Sequence, residues 1–214
     1  MQLDIISDTV CPWCYIGKKR LEKAQIERPQ IDFNINWRPF QLDPTIPAEG
    51  VDRQAYLNRK FGAERAKSAG NAIREAGEME GISFAFDKIK RSPNTLDSHR
   101  LIKWAGSAGV QNKVVDQLFE RYFENGENIG EHSVLLEAAK DAGMDVDIVR
   151  ELLASDSDLK QTELEDHQAR EMGISGVPCF LFEGKFAIVG AQEVSSLTRY
   201  IDKVEAKILQ QAAG

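Results

Sequence analysis

The apolar positions of this chain change period twice. Leu3 to Ser7 is a short, apolar, partly β-branched run and predicts a strand. Pro12 then suits the first position of a helix. Behind it, Cys14, Gly17, Leu21 and Ala24 recur at helical spacing as one narrow, small-residue face, which predicts a helix lying close to a neighbouring strand. Pro29 ends that helix. Phe33, Ile35 and Trp37 alternate with Asp32, Asn34 and Asn36, the period of a half-buried strand. Strand, helix and strand in this order predict a parallel crossover unit.

Past Pro39, Pro44 and Pro47 the period becomes almost wholly helical, from about Val51 to Met172. Val115, Leu118, Phe119 and Tyr122 form one face, Leu135, Ala138, Ala139 and Ala142 a second, and Val149, Leu152 and Leu153 begin a third. Gly109, Gly126, Gly130 and Gly143 punctuate them as stops or turns. Ser83 to Phe86 alone interrupts the pattern, as a short extended piece. Strands return at Cys179–Phe182 and Phe186–Val189, which flank the hairpin connection Glu183-Gly184-Lys185. A last helix places Leu197, Ile201, Val204 and Ile208 on one face. The expected fold is therefore α/β, a thioredoxin fold (βαβ–ββα) with a large all-helical insertion. Residues 1–50 and 173–214 form its two parts and residues 51–172 the insertion.

Charge narrows the partners. The net charge of -7 favours solubility and argues against a nucleic-acid footprint, and Lys18-Lys19-Arg20 is too short a basic run to change that. No apolar run reaches the length of a membrane span. Met1 to Asp8 has no positive leader region and reads as a strand, not a signal peptide, so the expected compartment is the reducing cytoplasm.

Of three cysteines, Cys11 and Cys14 are spaced C-x-x-C. At the start of a helix the first thiol meets unpartnered backbone N–H groups and the positive end of the helix dipole, which stabilise a thiolate. Cys11 holds that place and is the expected attacking thiolate. Cys14, one turn inside, is the expected resolving thiol with the higher pKa. Pro12 removes one N–H donor, and Trp13 adds apolar surface without charge, so the Cys11 pKa is expected to be depressed moderately. A zinc half-site would need a second ligand pair, and only Cys179, His99, His132 and His167 remain, scattered along the chain. A C-x-x-C beside a βαβ pattern favours redox chemistry.

Gly176-Val177-Pro178 precedes the strand that re-enters the fold. It reads either as an ordinary trans proline at a strand start or as a cis proline facing the cysteine pair; the C-x-x-C context favours the second. A cis bond there would turn the Val177 backbone toward Cys11, free to pair with an extended substrate. Cys179 is a third redox thiol or an inert buried one; its apolar neighbours favour the inert reading.

Ser7-Asp8-Thr9-Val10-Cys11-Pro12-Trp13-Cys14 with Gly17, Asn94-Thr95 with His99-Arg100-Leu101 and Trp104-Ala105, and Gly176-Val177-Pro178 together resemble the DsbA family. The nearest branch is the FrnE-type group, related to 2-hydroxychromene-2-carboxylate isomerases and kappa-class glutathione transferases. The resemblance covers essentially the whole chain. It implies a cytoplasmic dithiol oxidoreductase with catalytic Cys11, Cys14 and Pro178, and a cleft segment carrying Asn94 and His99 opposite the cysteines. By pattern alone, Asn94 or Thr95 is a helix cap and His99 a packing histidine. Pro12, Trp13 and Val177 complete the expected substrate-binding set. The isomerase and transferase relatives carry serine where this chain has Cys11. Some FrnE-type members add a C-terminal cysteine pair, which this chain does not have.

The expected substrate is a disulfide- or thiol-containing protein or small molecule. No tightly bound cofactor and no metal are expected, and glutathione is the candidate redox partner. The rival functions are a glutathione-dependent isomerase or transferase of the same fold, and a non-enzymatic binding or chaperone module. The sequence assigns neither the oligomeric state nor the net direction of exchange.

Overall fold

A computed structural model describes residues 1–212; the last two residues of the 173–214 segment lie outside the described residues. Strand β1 (Gln2–Ser7) leads into helix α1 (Pro12–Ile26) and strand β2 (Asn34–Pro39). Strands β5 (Cys179–Phe182) and β6 (Phe186–Val189) and helix α9 (Val194–Ala212) close the chain. The sheet runs β2-β1-β5-β6, with β1 parallel to β2 and antiparallel to β5, and β5 antiparallel to β6. The β5–β6 hairpin turns on Glu183 and Gly184, both at positive φ, with the Lys185 amide donating to the Phe182 carbonyl at 3.0 Å. Two consecutive positive φ values match the right-handed twist of the flanking strands. This is a thioredoxin fold.

The period-2 pattern decides which face each strand residue serves. Leu3, Ile5, Phe180 and Phe182 join the main core with Cys14, Leu21 and Ala24 of α1 and Leu197, Ile201 and Val204 of α9. Ile6, Cys179 and Leu181 turn to the opposite face, where Phe40 and Ala169 complete a smaller cluster. With both faces covered, β5 reads as a continuous apolar run, Cys-Phe-Leu-Phe.

Between β2 and β5 lies the helical insertion. It comprises α2 (Arg53–Phe61), α3 (Ala63–Met79), α4 (Leu96–Ser107), α5 (Gln111–Glu120), a π-helical turn (Arg121–Asn125), α6 (His132–Ala142), α7 (Val146–Leu153) and α8 (Leu159–Glu171). No strand of the central sheet comes from it among the described residues, although it holds a two-residue ladder of β3 (Val51–Asp52) with β4 (Arg91–Ser92). Ser83–Phe86 forms no strand and instead carries Phe84 into an aromatic group. There Tyr15 stacks on Phe119 at 5.0 Å and Phe84 meets Phe123 edge-on at 5.4 Å. That group makes the insertion and the sheet share one core. Ala169 of α8 closes the sheet's second face, so the last helix of the 51–172 block serves as a layer of the thioredoxin fold. Among the described residues no helix is long and apolar enough to cross a membrane.

Two contacts set the attitude of α1. A Cβ built on Gly17 would meet Pro178 Cγ at 2.9 Å and the Phe180 ring at 3.3 Å, so glycine lets this helix approach the start of β5. One turn further along, Arg20 donates to Glu80 at 2.7 Å, Lys23 donates to the second Glu80 oxygen at 2.7 Å, and Arg20 also reaches the Ala191 carbonyl at 2.8 Å. Burial alone would raise the Glu80 pKa, but Lys23 and Arg20 outweigh it and hold the carboxyl below its ordinary value.

Gly17→Ala separates packing from propensity. In an open helix the change would stabilise by about 1 kcal/mol. Here overpacking against Pro178 and Phe180 is expected to dominate, for a net loss of roughly 1–3 kcal/mol in urea unfolding; a gain would sink the close-packing account. Glu80→Gln is expected to cost roughly 1.5–3 kcal/mol, the range for a hydrogen bond to a charged group. Arg20 keeps Glu193 and Ala191 as partners, so its charge is not wholly orphaned. Because the folded Glu80 pKa lies below the unfolded one, its contribution is full above the unfolded value and is lost as pH falls through the folded value. The wild-type and Glu80→Gln unfolding curves should therefore converge in acid, and a gap independent of pH would refute the assignment.

Candidate active site

β1 ends at Ser7 and the chain turns within four residues, the Cys11 amide donating to the Asp8 carbonyl at 3.0 Å. Cys11 is extended (φ -92, ψ 110) and occupies the N-cap of α1, with Pro12 as the first helical residue. Its carbonyl accepts from the Cys14 amide at 3.0 Å. No side chain caps this helix, so its unpartnered N–H groups and the positive end of its dipole are left for Cys11.

Across from Cys11 the Val177–Pro178 peptide is cis, and Cys11 Sγ donates to the Val177 carbonyl at 3.8 Å. The Pro178 carbonyl in turn accepts from the Gly190 amide at 2.7 Å, which ties this loop to the end of β6. Cys11 and Cys14 are both free thiols. Cys11 is 4% exposed and Cys14 1%, so access alone separates them little. Ionisation separates them more. Burial first, then the Cys11 thiol, push the Cys14 pKa well above the ordinary thiol value, against the opposing Ser7 hydroxyl and Asp8 backbone amide.

Trp13 projects beside the pair at 38% exposure, while Pro12 and Val177 are half-buried. Cys179, one residue beyond Pro178, turns to the opposite face of the sheet, and burial raises its pKa. Asn94 is half-buried at the entrance to α4. Its side chain is committed internally: Nδ2 donates to the Ile46 carbonyl at 2.6 Å, and Oδ1 accepts from the Leu96 amide at 2.9 Å and from Gln41 at 3.1 Å.

His99 sits one turn further along α4, buried. The next residue, Arg100, fixes the helix: its guanidinium donates to the carbonyls of Leu152, Ser155 and Ser157 and to Asp97, and lies 4.9 Å from the Trp104 ring. These carbonyls lie at and beyond the end of α7. His99 Nε2 faces Asp8 Oδ1 at 3.5 Å, and neither atom has a hydrogen-bond partner. The other Asp8 oxygen accepts from the Leu42 amide at 2.7 Å. Beside them lies a cavity of about 220 Å³, lined by Ser7, Thr9, Trp37, His99, Lys103 and Glu165 among others.

The DSBA-like thioredoxin domain matches residues 2–202. This chain belongs to that family.

The DSBA-like chain has close structural counterparts. The crystal structure of probable DsbA oxidoreductase SCO1869 from Streptomyces coelicolor superposes with a TM-score of 0.87 at 27% identity, covering 96% of this chain and 90% of that one. 2-Hydroxychromene-2-carboxylate isomerase shares the fold at a TM-score of 0.71 and 16% identity, covering 100% of this chain and 98% of that one. Cytosolic disulfide reductase DsbM from Pseudomonas aeruginosa, solved with GSH, shares it at 0.63 and 15%, with both chains covered completely. The DSBA-like fold thus brings Cys11, Cys14, Val177 and Pro178 into one place, and His99 to a buried acid that sequence reasoning passed over. Asp8 carried one signal: a carboxylate directly behind a buried strand and three residues before Cys11. Ser7 carried none, since its pattern is that of a strand end.

The ionisation difference predicts the order of alkylation in this DSBA-like chain. With the reduced protein below about pH 8.5, the ordinary thiol pKa, iodoacetamide is expected to modify Cys11 well before Cys14. Peptide mapping across pH reads the order, and faster labelling of Cys14 would reverse the two roles.

Proposed function

We propose that this chain is a FrnE-type thiol–disulfide oxidoreductase working through a mixed disulfide. The asymmetry of the pair carries the reading. Cys11 lies at the uncapped start of α1 against the Val177 carbonyl, and Cys14 lies one turn inside, held protonated by burial. The Cys11 thiolate attacks a substrate disulfide, one substrate sulfur leaves as a thiolate, and a mixed disulfide remains. Cys14 then attacks Cys11 Sγ, the intramolecular disulfide forms, and the second substrate sulfur leaves. Run backwards, the same steps oxidise a substrate dithiol. Pro178 positions the loop against α1, while Pro12, Trp13 and Val177 form the docking surface around Cys11. Asn94 and His99 belong to the flanking cleft wall.

The substrate in this reading is a thiol- or disulfide-containing protein or small molecule. The fold shared with a cytosolic reductase solved with GSH supports glutathione as redox partner and a cytoplasmic setting. The isomerase neighbour shares the fold at 16% identity, and a paired thiol at the helix start favours redox chemistry over its reaction.

Equilibration in glutathione redox buffers followed by alkylation is expected to show a reversible Cys11–Cys14 disulfide. Cys14→Ser should accumulate a mixed disulfide with glutathione at Cys11, and Cys11→Ser should abolish disulfide exchange. Exchange that survives Cys11→Ser would defeat the proposal and leave a binding module or an isomerase.

A further inference from the structure

Among the described residues, α2 is the one helix with no buried residue. A helix this short is marginal in water by itself, so its hold on the body comes from a few polar ties. The Asp52 side chain accepts from the Ala55 amide at 2.8 Å, and Arg53 donates to the Tyr122 hydroxyl at 2.8 Å. Beyond Phe61 the chain turns at Gly62 (φ +79) straight into α3. A Cβ built on Gly62 would meet nothing within 4 Å, and neither would one on Gly70 in α3. The tip where the two helices join therefore stands clear of the body.

That tip is strongly positive. It carries Arg59, Lys60, Arg65 and Lys67 with Glu64 alone against them, on a chain whose net charge is -7. Arg59, Arg65 and Lys67 are exposed and form no salt bridge among the described residues, and Lys60 meets Asp43 only at 3.8 Å. On α1, by contrast, Lys18, Lys19, Arg20 and Lys23 each have a carboxylate partner. Phe61, 51% exposed, lies in sequence among the four cations. Arginine and exposed aromatic side chains together are the composition of an interface.

Three consecutive hydrogen bonds tie this tip to the cysteine. Lys60 Nζ donates to the Leu42 carbonyl at 3.5 Å, the Leu42 amide donates to Asp8 Oδ2 at 2.7 Å, and the Asp8 carbonyl accepts from the Cys11 amide at 3.0 Å. Leu42, the middle link, is itself 41% exposed. An extended chain advances about 3.3–3.6 Å per residue, so residues roughly four to six positions from a cysteine docked at Cys11 reach the tip. Asp43, the acid beside Lys60, is taken up by the Thr45 amide at 3.1 Å and by the Thr45 hydroxyl.

Resting on the dithiol reading above, we propose that the α2–α3 tip docks an acidic polypeptide segment that flanks the reacting cysteine of a protein substrate. The substrate class is then a protein whose thiol or disulfide lies a few residues from a run of Asp or Glu. The exchange steps stay as given above, and the tip adds attraction and register. Opposite charge of this kind acts mainly on the rate of encounter and on the choice of partner. Phe61 gives a polypeptide apolar area that a small anion would leave uncovered. An anionic membrane fits less well. The rest of the chain carries the net negative charge and would be repelled by a headgroup layer, whereas a single acidic segment meets only the tip.

Stopped-flow mixing of the reduced full-length protein with three peptides tests the docking site. Each peptide has ~12 residues, enough to span about 40 Å when extended, and carries one cysteine as a mixed disulfide with thiopyridine. The flanks are rich in Glu, in Ser or in Lys, and release of thiopyridone reports attack by Cys11. Each rate is divided by that with dithiodipyridine, a neutral reagent too small to span from Cys11 to the tip. At low salt the Glu-rich peptide is expected to react roughly 10-fold faster than the Ser-rich one, the lower end of electrostatic steering, and the Lys-rich one more slowly. The gap should close toward about 1 M salt, where screening acts within about 3 Å. Arg59→Glu, Arg65→Glu and Lys67→Glu combined should reverse the order. Equal rates for the wild type at low salt, or a Glu preference that survives the triple change, would overturn the proposal. Equal peptide rates together with sedimentation on phosphatidylserine vesicles would mark the tip as a membrane contact and overturn it too. The salt series on the wild-type chain decides the matter even if the variant fails to fold. Undiminished reaction of Cys11→Ser with dithiodipyridine would instead refute the dithiol reading itself.

Discussion

The close approach of Gly17 to Pro178 is the contact on which the site depends. One partner is on the first helix and the other follows the whole insertion. The missing side chain at position 17 lets the α1 backbone come within reach of the proline ring. At that spacing the uncapped start of α1 brings Cys11 Sγ to the Val177 carbonyl. The sheet makes the approach reproducible. β1 holds β2 on one side and β5 on the other, so the segments before and after the insertion are registered on the same strand. A long insertion between them costs little, because the entropy of closing a loop grows only slowly with its length.

The insertion contributes more than cover. Its aromatic group continues the sheet's core through Tyr15, Phe119 and Phe123, and α8 supplies the layer on the second face. Arg100 is a buried charge that would be costly alone. It is satisfied by carbonyls at the end of α7 and by Asp97. That arrangement fixes α4 and so sets where His99 stands. The same chemistry that satisfies Arg100 is withheld from the Asp8–His99 pair, and this contrast makes the pair conspicuous. The two cysteines differ in the same manner. Their exposures are nearly equal, and what surrounds each sulfur sets them apart.

Much of this was legible in the chain. Period 2 and period 3.6 marked β1, α1, β2, β5, β6 and α9, and the switch to unbroken helical spacing marked the insertion. The C-x-x-C pair declared itself by spacing and by Pro12. The face of α1 formed by Cys14, Gly17, Leu21 and Ala24 was visible as a row of small residues, because a helix that lies close to a strand excludes large ones. Position 17 could be recognised as tight; its partner, Pro178, could not, since nothing local links the two.

What local pattern determined, then, is the identity and facing of each element and the two thiols at the start of α1, because periodicity and helix-end electrostatics act within a few residues. Tertiary structure decided the rest. Cys179 adjoins Pro178 in the chain yet faces away from the cysteine pair, since successive residues of a strand point to opposite faces. Asp8 and His99 meet because β2 and α4 pack, a placement no local period records. Hydrogen bonds and ion pairs depend on distance through space, and only the closing of the core around the sheet sets those distances.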